Sequence, residues 1–124
     1  MSLDVYLWKE KYVCYGKPSL EGLKREDEMV FCQNITHNLN EMAMAVSDDF
    51  YKALWRPEEI NCKYAKDIVL ILSKGYFELL GNEEVYKKYD SPNGWGLYKN
   101  FLPWVKEYLD ACKEHPDSEI EVSR

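Results

Sequence analysis

Three short runs carry the side chains able to do chemistry: Asn34-Ile35-Thr36-His37-Asn38-Leu39-Asn40, Trp55-Arg56-Pro57-Glu58-Glu59 and Asn93-Gly94-Trp95-Gly96-Leu97-Tyr98. The first holds His37, one of only two histidines, between the carboxamides of Asn34 and Asn38. An imidazole can donate, accept or act as a general base near neutral pH. Asn34 precedes His37 by three positions, which places both on one face if they share a helical turn. A strand giving way to a helix here would add free backbone N–H groups and a helix dipole, suited to an anion or a polar ligand. Ordinary capping by Asn34 or Thr36 accounts for the same residues without chemistry.

The second run offers the planar guanidinium of Arg56, which fits phosphate or carboxylate. Trp55 beside it can stack on a ring or plug the core. The plainer reading is a tryptophan that anchors a turn between helices, with Arg56 paired to Glu58 or Glu59. In the third run two glycines flank Trp95, allowing a tight backbone and close approach of another group. An exposed Trp95 would be a stacking platform or a contact anchor. Folded back, it would simply cover the core.

Other chemistries lack their residues. There is no HExxH, paired CxxC, EF-hand loop, Walker A loop or GxSxG, so no metal or cofactor is expected. Gly94 and Gly96 do not have the spacing of a dinucleotide fingerprint. Cys32 with His37 is a conceivable nucleophile pair, but a cysteine in an apolar strand is expected to pack. The carboxylate pairs Asp48-Asp49, Glu58-Glu59 and Glu83-Glu84 fall at expected helix starts, where the helix dipole explains them.

Charge narrows the partners. Sixteen basic against 22 acidic residues give a net −6, which disfavours nucleic acid and anionic membrane as partners. The longest apolar run, Ile68–Leu72, is too short to span a bilayer. The start, Met1-Ser2-Leu3-Asp4-Val5-Tyr6-Leu7, has no basic n-region and no small-residue cleavage site. Cys14, Cys32, Cys62 and Cys112 stand far apart and read as reduced, mostly buried thiols, consistent with the cytoplasm.

These side chains must be positioned by one domain, 1–124. A length of 124 residues suits a single core, and 46% apolar with 15% aromatic residues excludes a wholly disordered chain. Leu3, Val5 and Leu7 alternate with polar positions and predict a strand. Trp8–Lys11 reads as a turn, Tyr12–Tyr15 as a second strand closed near Gly16 and Pro18, Lys17–Glu28 as an exposed loop or single helical turn, and Met29–Cys32 as a third strand. From Ile35 the period changes: Leu39, Met42, Ala43 and Val46 share one helical face. Ser47 starts another turn, and a helix over about Asp48–Leu54 follows. Pro57 at a first helical position then starts the longest helix, about Pro57–Leu80, with Tyr64–Leu72 at the centre of the fold. Asn82 caps a short helix over Glu83–Tyr89. Asp90–Gly96 is a dense turn signal. The final helix begins near Asn100, which would put Pro103 in its first turn, and it stops at His115-Pro116. Glu119–Val122 alternates as a last strand, paired beside the N-terminal one. The expected fold is α+β: a small, mostly antiparallel sheet of N-terminal strands plus the C-terminal strand, packed against four or five helices.

Asn34-Ile35-Thr36-His37-Asn38, Leu54-Trp55-Arg56-Pro57-Glu58-Glu59, Asn93-Gly94-Trp95-Gly96 with Tyr98, and Ile120-Glu121-Val122-Ser123-Arg124 together resemble a group of small proteins of bacteriophages and bacteria that has no established activity. The resemblance spans most of the chain. It implies a phage or bacterial cytoplasmic origin and carries over no catalytic role to any residue.

The residues themselves favour a non-enzymatic accessory module that binds a small polar ligand or a partner protein through Asn34, His37, Asn38, Arg56 and Trp95. The alternative is a small enzyme acting on a nucleotide-like or phosphorylated substrate. His37 would be its base, Arg56 would hold the anion, and Asn34 or Asn38 would orient the substrate. A third reading is an acidic inhibitor or decoy for a basic surface. All but the last require the three runs to converge.

Overall fold

The computed structural model describes residues 2–14 and 23–124, with side chains from Ser2 to Glu10 and from Glu26 onward. Its sheet has three antiparallel strands in the order β2-β1-β3, with β1 Ser2–Cys14, β2 Leu23–Thr36 and β3 Glu119–Ser123. The helices are α1 Asn40–Val46, α2 Asp48–Trp55, α3 Ala65–Gly81, α4 Glu83–Tyr86 and α5 Tyr98–Glu114. The α+β class and the placing of the C-terminal strand beside the N-terminal one agree with expectation.

The alternation at the start does what its period demands. Leu3, Val5 and Leu7 are fully buried, opposite Ile35, Gln33 and Phe31 on one side, while Val5 and Leu7 also face Val122 and Ile120 on the other. Side chains of one pleat face therefore form the surface on which the helices pack. Asp4, Tyr6 and Trp8 point the opposite way and remain half exposed.

The expected turn at Trp8–Lys11 does not form. β1 runs straight through it, and the predicted loop at residues 23–28 belongs to β2. Register places Lys9 opposite Glu28 and Lys11 opposite Glu26, opposite charges that favour cross-strand pairing. Among the described residues, β2 alone pairs with β1 beyond Trp8, and the sequence of this ribbon shows no hydrophobic alternation to read. A register shift between Leu7 and Trp8 marks a bulge that absorbs Val30. The expected closure at Gly16 and Pro18 and the loop over residues 17–22 lie outside the described residues.

Helix boundaries also moved. Ile35 and Thr36 end β2 instead of opening a helix, and a 3-10 turn, His37–Leu39, separates them from α1. Ser47 Oγ accepts from Phe50 N at 3.0 Å and starts α2. The long helix from Pro57 is broken. Pro57–Ile60 is a 3-10 turn that ends at Asn61 with φ 57°, a left-handed position asparagine tolerates. The chain then runs extended to the sheet, where Ile120 N donates to Lys63 O at 2.9 Å and Tyr64 bridges Glu119. Tyr64 thus precedes the central helix. Asp67 Oδ2 accepts from Tyr64 N at 2.9 Å and from Lys63 N at 3.1 Å, capping α3. Asn82 does not cap α4 through its side chain, which donates instead to Glu78 O at 3.0 Å.

α5 starts two residues earlier than expected because Asp90 Oδ1 accepts from Tyr98 N at 2.7 Å. Pro103 consequently lies inside the helix, exposed to solvent. The opposite face carries Phe101, Trp104 and Tyr108, spaced three and four residues apart. An aromatic column results: Phe50 to Phe101 at 6.2 Å, Phe101 to Trp104 at 6.2 Å, Trp104 to Tyr108 at 5.7 Å and Tyr108 to Phe31 at 5.7 Å. It ties α2 and α5 to β2, and each buried ring contributes about 1.5–3 kcal/mol of hydrophobic stabilisation. Cys32 is exposed rather than packed, since it lies on the pleat face opposite Tyr6, away from the helices.

Candidate functional site

The end of β2 and the turn before α5 meet over one depression. It has a volume of about 620 Å³ and is lined by Ser2, Asn34, Ile35, Thr36, His37, Asn38 and Trp95. Two of the three sequence runs therefore converge directly. β1–β2 pairing sets Asn34 opposite Asp4 and Thr36 opposite Ser2. Thr36 Oγ1 accepts from Asn38 N at 3.3 Å and turns the chain out of the strand.

Trp95 is presented by a turn built to hold it. Asn93 Oδ1 accepts from Ser91 Oγ at 2.6 Å and from Trp95 N at 2.9 Å. Gly94 and Gly96 adopt φ of 80° and 113°, values that side-chain-bearing residues rarely take. A Cβ on Gly96 would stand 2.9 Å from Asn38 Cβ. That close approach lets Asn38 Nδ2 donate to Trp95 O at 2.8 Å. The Trp95 side chain itself is 69% exposed, so the turn is fixed while the indole is open.

The third run enters through Trp55, not Arg56. Trp55 is buried, and its Nε1 donates to His37 Nδ1 at 3.0 Å. An indole N–H only donates, so Nδ1 must hold a lone pair and the neutral imidazole carries its proton on Nε2. Nε2 is itself buried and has no hydrogen-bond partner among the described residues. Arg56 does not line the depression. It lies 3.4 Å from Glu59, and contact with Tyr51 and then Glu59 raises its guanidinium pKa.

The lining residues carry no acidic or strongly basic side chain. Among the described residues Asn34 has no side-chain hydrogen-bond partner and offers both donor and acceptor, Asn38 keeps its Oδ1, and Thr36 keeps its hydroxyl proton. The arrangement can hold an uncharged group with a hydrogen-bonding edge and cover it with the indole face. Among the described residues no group of three or more His, Cys, Asp or Glu side chains is placed to hold a metal ion.

Sequence reasoning missed Arg124 as an anchor. Its Nη1 donates to Trp55 O at 2.8 Å and to Glu58 Oε1 at 2.7 Å, tying the end of β3 to the end of α2. Burial works to raise the Glu58 carboxyl, but hydrogen bonding from the backbone and from Arg124 holds it below its ordinary pKa. No local signal marks a pairing 66 residues apart. This clamp borders a second depression, about 640 Å³, lined by Pro57, Glu58, Asn61, Cys62, Lys63, Ile120, Val122 and Arg124. Cys62 there is no ready nucleophile, since burial raises its thiol pKa. A smaller polar cleft gathers Glu10, Asp27, Asp117 and Glu119 beside Lys63.

Compared with protein-family models, curated proteins and solved structures, the chain matches none of them. No described helix is long and apolar enough to cross a membrane.

Proposed function

We propose that the chain is a small accessory module that binds an uncharged polar ligand, or the equivalent group of a partner protein, between Trp95 and the carboxamides of Asn34 and Asn38. The observation that carries this reading is the Trp55–His37 bond. It occupies the one lone pair with which a neutral His37 could accept a proton, so the imidazole serves as a support beneath the site and not as a base. Arg56 is not among the lining residues, so the depression lacks the anion holder that a phosphorylated substrate would require. The enzyme reading loses two of its parts on these grounds, and the binding reading loses only Arg56.

The test is tryptophan fluorescence and NMR titration with neutral planar probes, adenosine and uridine, against their monophosphates. Nucleosides should shift resonances of residues 34–38 and 95, and the added phosphate should give no gain. Trp95→Ala and Asn34→Ala should each weaken binding about tenfold or more, as expected for loss of one stacking or hydrogen-bonding contact of about 1.4 kcal/mol. Arg56→Ala should leave it unchanged. Tighter binding of the monophosphates, with loss on Arg56→Ala, would overturn the reading.

A further inference from the structure

Of the seven asparagines, Asn93 alone precedes a glycine. That order allows a reaction the others resist. The main-chain nitrogen of the next residue can attack the side-chain carboxamide, and only glycine brings no Cβ to crowd the approach. The fold keeps the approach open: Asn93 and Gly94 are exposed, and even a Cβ built on Gly94 would meet nothing within 4 Å. The turn also prepares the electrophile. Ser91 Oγ and Trp95 N both donate to Asn93 Oδ1, at 2.6 and 2.9 Å, and this is the oxygen on which negative charge gathers during attack. Donors already aimed at a developing oxyanion lower the barrier to its formation. Asn93 Nδ2 has no hydrogen-bond partner among the described residues, so it can depart into solvent. One contact opposes the step. Gly94 N donates to Ser91 O at 3.1 Å and must first leave it, but this is a single exposed main-chain bond, of the kind that opens at little cost.

We propose that Asn93-Gly94 is a self-modification site whose isoaspartyl product unseats Trp95. Gly94 N gives its proton to water or hydroxide and bonds to Asn93 Cγ. Oδ1 takes the electron pair, and its return expels Nδ2, which leaves as ammonia. Water then opens the five-membered imide that remains. Cleavage at Cγ gives aspartate, and cleavage at the main-chain carbonyl of residue 93 gives isoaspartate. Either way one water enters, one ammonia leaves and nothing is oxidised. Aspartate keeps an acceptor where Oδ1 stood, so the turn survives. Isoaspartate routes the main chain through Cβ and Cγ, adding one methylene just before Gly94. The far side of the turn has no slack to absorb it, since Trp95 O holds Asn38 Nδ2 at 2.8 Å and Gly96 packs against Asn38 too closely to admit a Cβ. The lengthened turn therefore breaks the Asn38–Trp95 bond and releases the indole from the depression. Any accompanying loss of ligand rests on the binding reading above; the reaction and the unseating do not.

The full chain, held at mildly alkaline pH, is compared with the same chain in urea by mass spectrometry of the tryptic peptide Tyr89–Lys99. Asn93 should convert in the folded chain at least as fast as in urea, with the other asparagines intact. Ser91→Ala should slow conversion about tenfold in the fold, less than a buried oxyanion donor is worth, and leave the rate in urea unchanged. The isoaspartyl form is then separated by ion exchange. Its NMR resonances from the Asn38 side-chain amide and the Trp95 indole should shift, whereas Asn93→Asp should keep them near their native positions. Slower conversion in the fold than in urea overturns the proposal, since the turn then protects Asn93. So does a native rate in folded Ser91→Ala, or an isoaspartyl form whose Asn38 and Trp95 resonances have not moved. No arm of the test uses a ligand, so failure here leaves the binding reading standing.

Discussion

Trp55 and His37, 18 residues apart, are joined by a 3.0 Å hydrogen bond from indole Nε1 to imidazole Nδ1. The bond fixes the tautomer of His37 and ties α2 to the turn that follows β2. Trp55 also stacks on Tyr51 at 5.5 Å and is held through its carbonyl by Arg124. Trp55→Phe keeps most of the packing and removes the donor, leaving Nδ1 without its partner. A loss of about 1–3 kcal/mol in urea unfolding is expected. Combined with His37→Phe, the double variant should lose less than the sum of the two single losses. Additive losses would show that the bond couples nothing.

Gly96 and Gly94 separate two causes of strain within one turn. Both have positive φ, but a Cβ on Gly94 meets open space whereas one on Gly96 meets Asn38. Gly94→Ala should cost about 1 kcal/mol from backbone conformation alone. Gly96→Ala adds the clash and should break the Asn38–Trp95 bond, costing about 2–4 kcal/mol. Acrylamide quenching of Trp95 should rise in the Gly96 variant and stay near its native value in the Gly94 variant.

Gly75 lies inside α3, where alanine would ordinarily stabilise by about 0.5–1 kcal/mol. A Cβ there would overlap the ring of Phe50, which is fully buried. Gly75→Ala should therefore destabilise by about 3 kcal/mol or more. Phe50→Leu in the same chain should recover part of that loss, because a branched aliphatic side chain can give way. Thermal melts of both single variants and the double one check this.

Alkaline pH should weaken the fold through Cys112. Its thiol is fully buried, and burial raises its pKa from 9.0 to about 12. Between those values the unfolded chain has lost the proton that the folded chain keeps, so stability falls as pH rises. It is complete below pH 9, and each unit above that should cost about 1.4 kcal/mol. Tyr86 and Tyr108, raised by burial as well, and Tyr86 further by its bond to Glu78, act in the same direction above pH 10. Urea midpoints at pH 8, 10 and 11 should drop, and the drop between pH 8 and 10 should shrink in Cys112→Ala.

Alternation of Leu3, Val5 and Leu7, the period of Leu39, Met42, Ala43 and Val46, the Ser47 cap and the Asp90–Gly96 turn signals were all legible in the chain. Each is a local property: a two- or 3.6-residue repeat, or a side chain that bonds within three positions. The α+β class and the presence of the helices follow from such repeats; the pairing of the last strand with the first was expected from its alternation, but its cause is non-local. What escaped has non-local causes. The outer ribbon of β1 and β2 is made by cross-strand pairing, and its sequence carries no hydrophobic alternation to read. The break after Pro57 depends on Lys63 and Tyr64 reaching Glu119 and Ile120. The start of α5 depends on Asp90, eight residues away. The site divides in the same way. Residue types marked Asn34, His37, Asn38, Arg56 and Trp95 as able to bind. The pairing of Arg56 with Glu59, three residues on, was legible as the plainer reading of that run, whereas only the tertiary structure brought Trp95 to Asn38 and gave the Nδ1 of His37 to Trp55, because hydrogen bonds between distant segments depend on where packing brings their ends together.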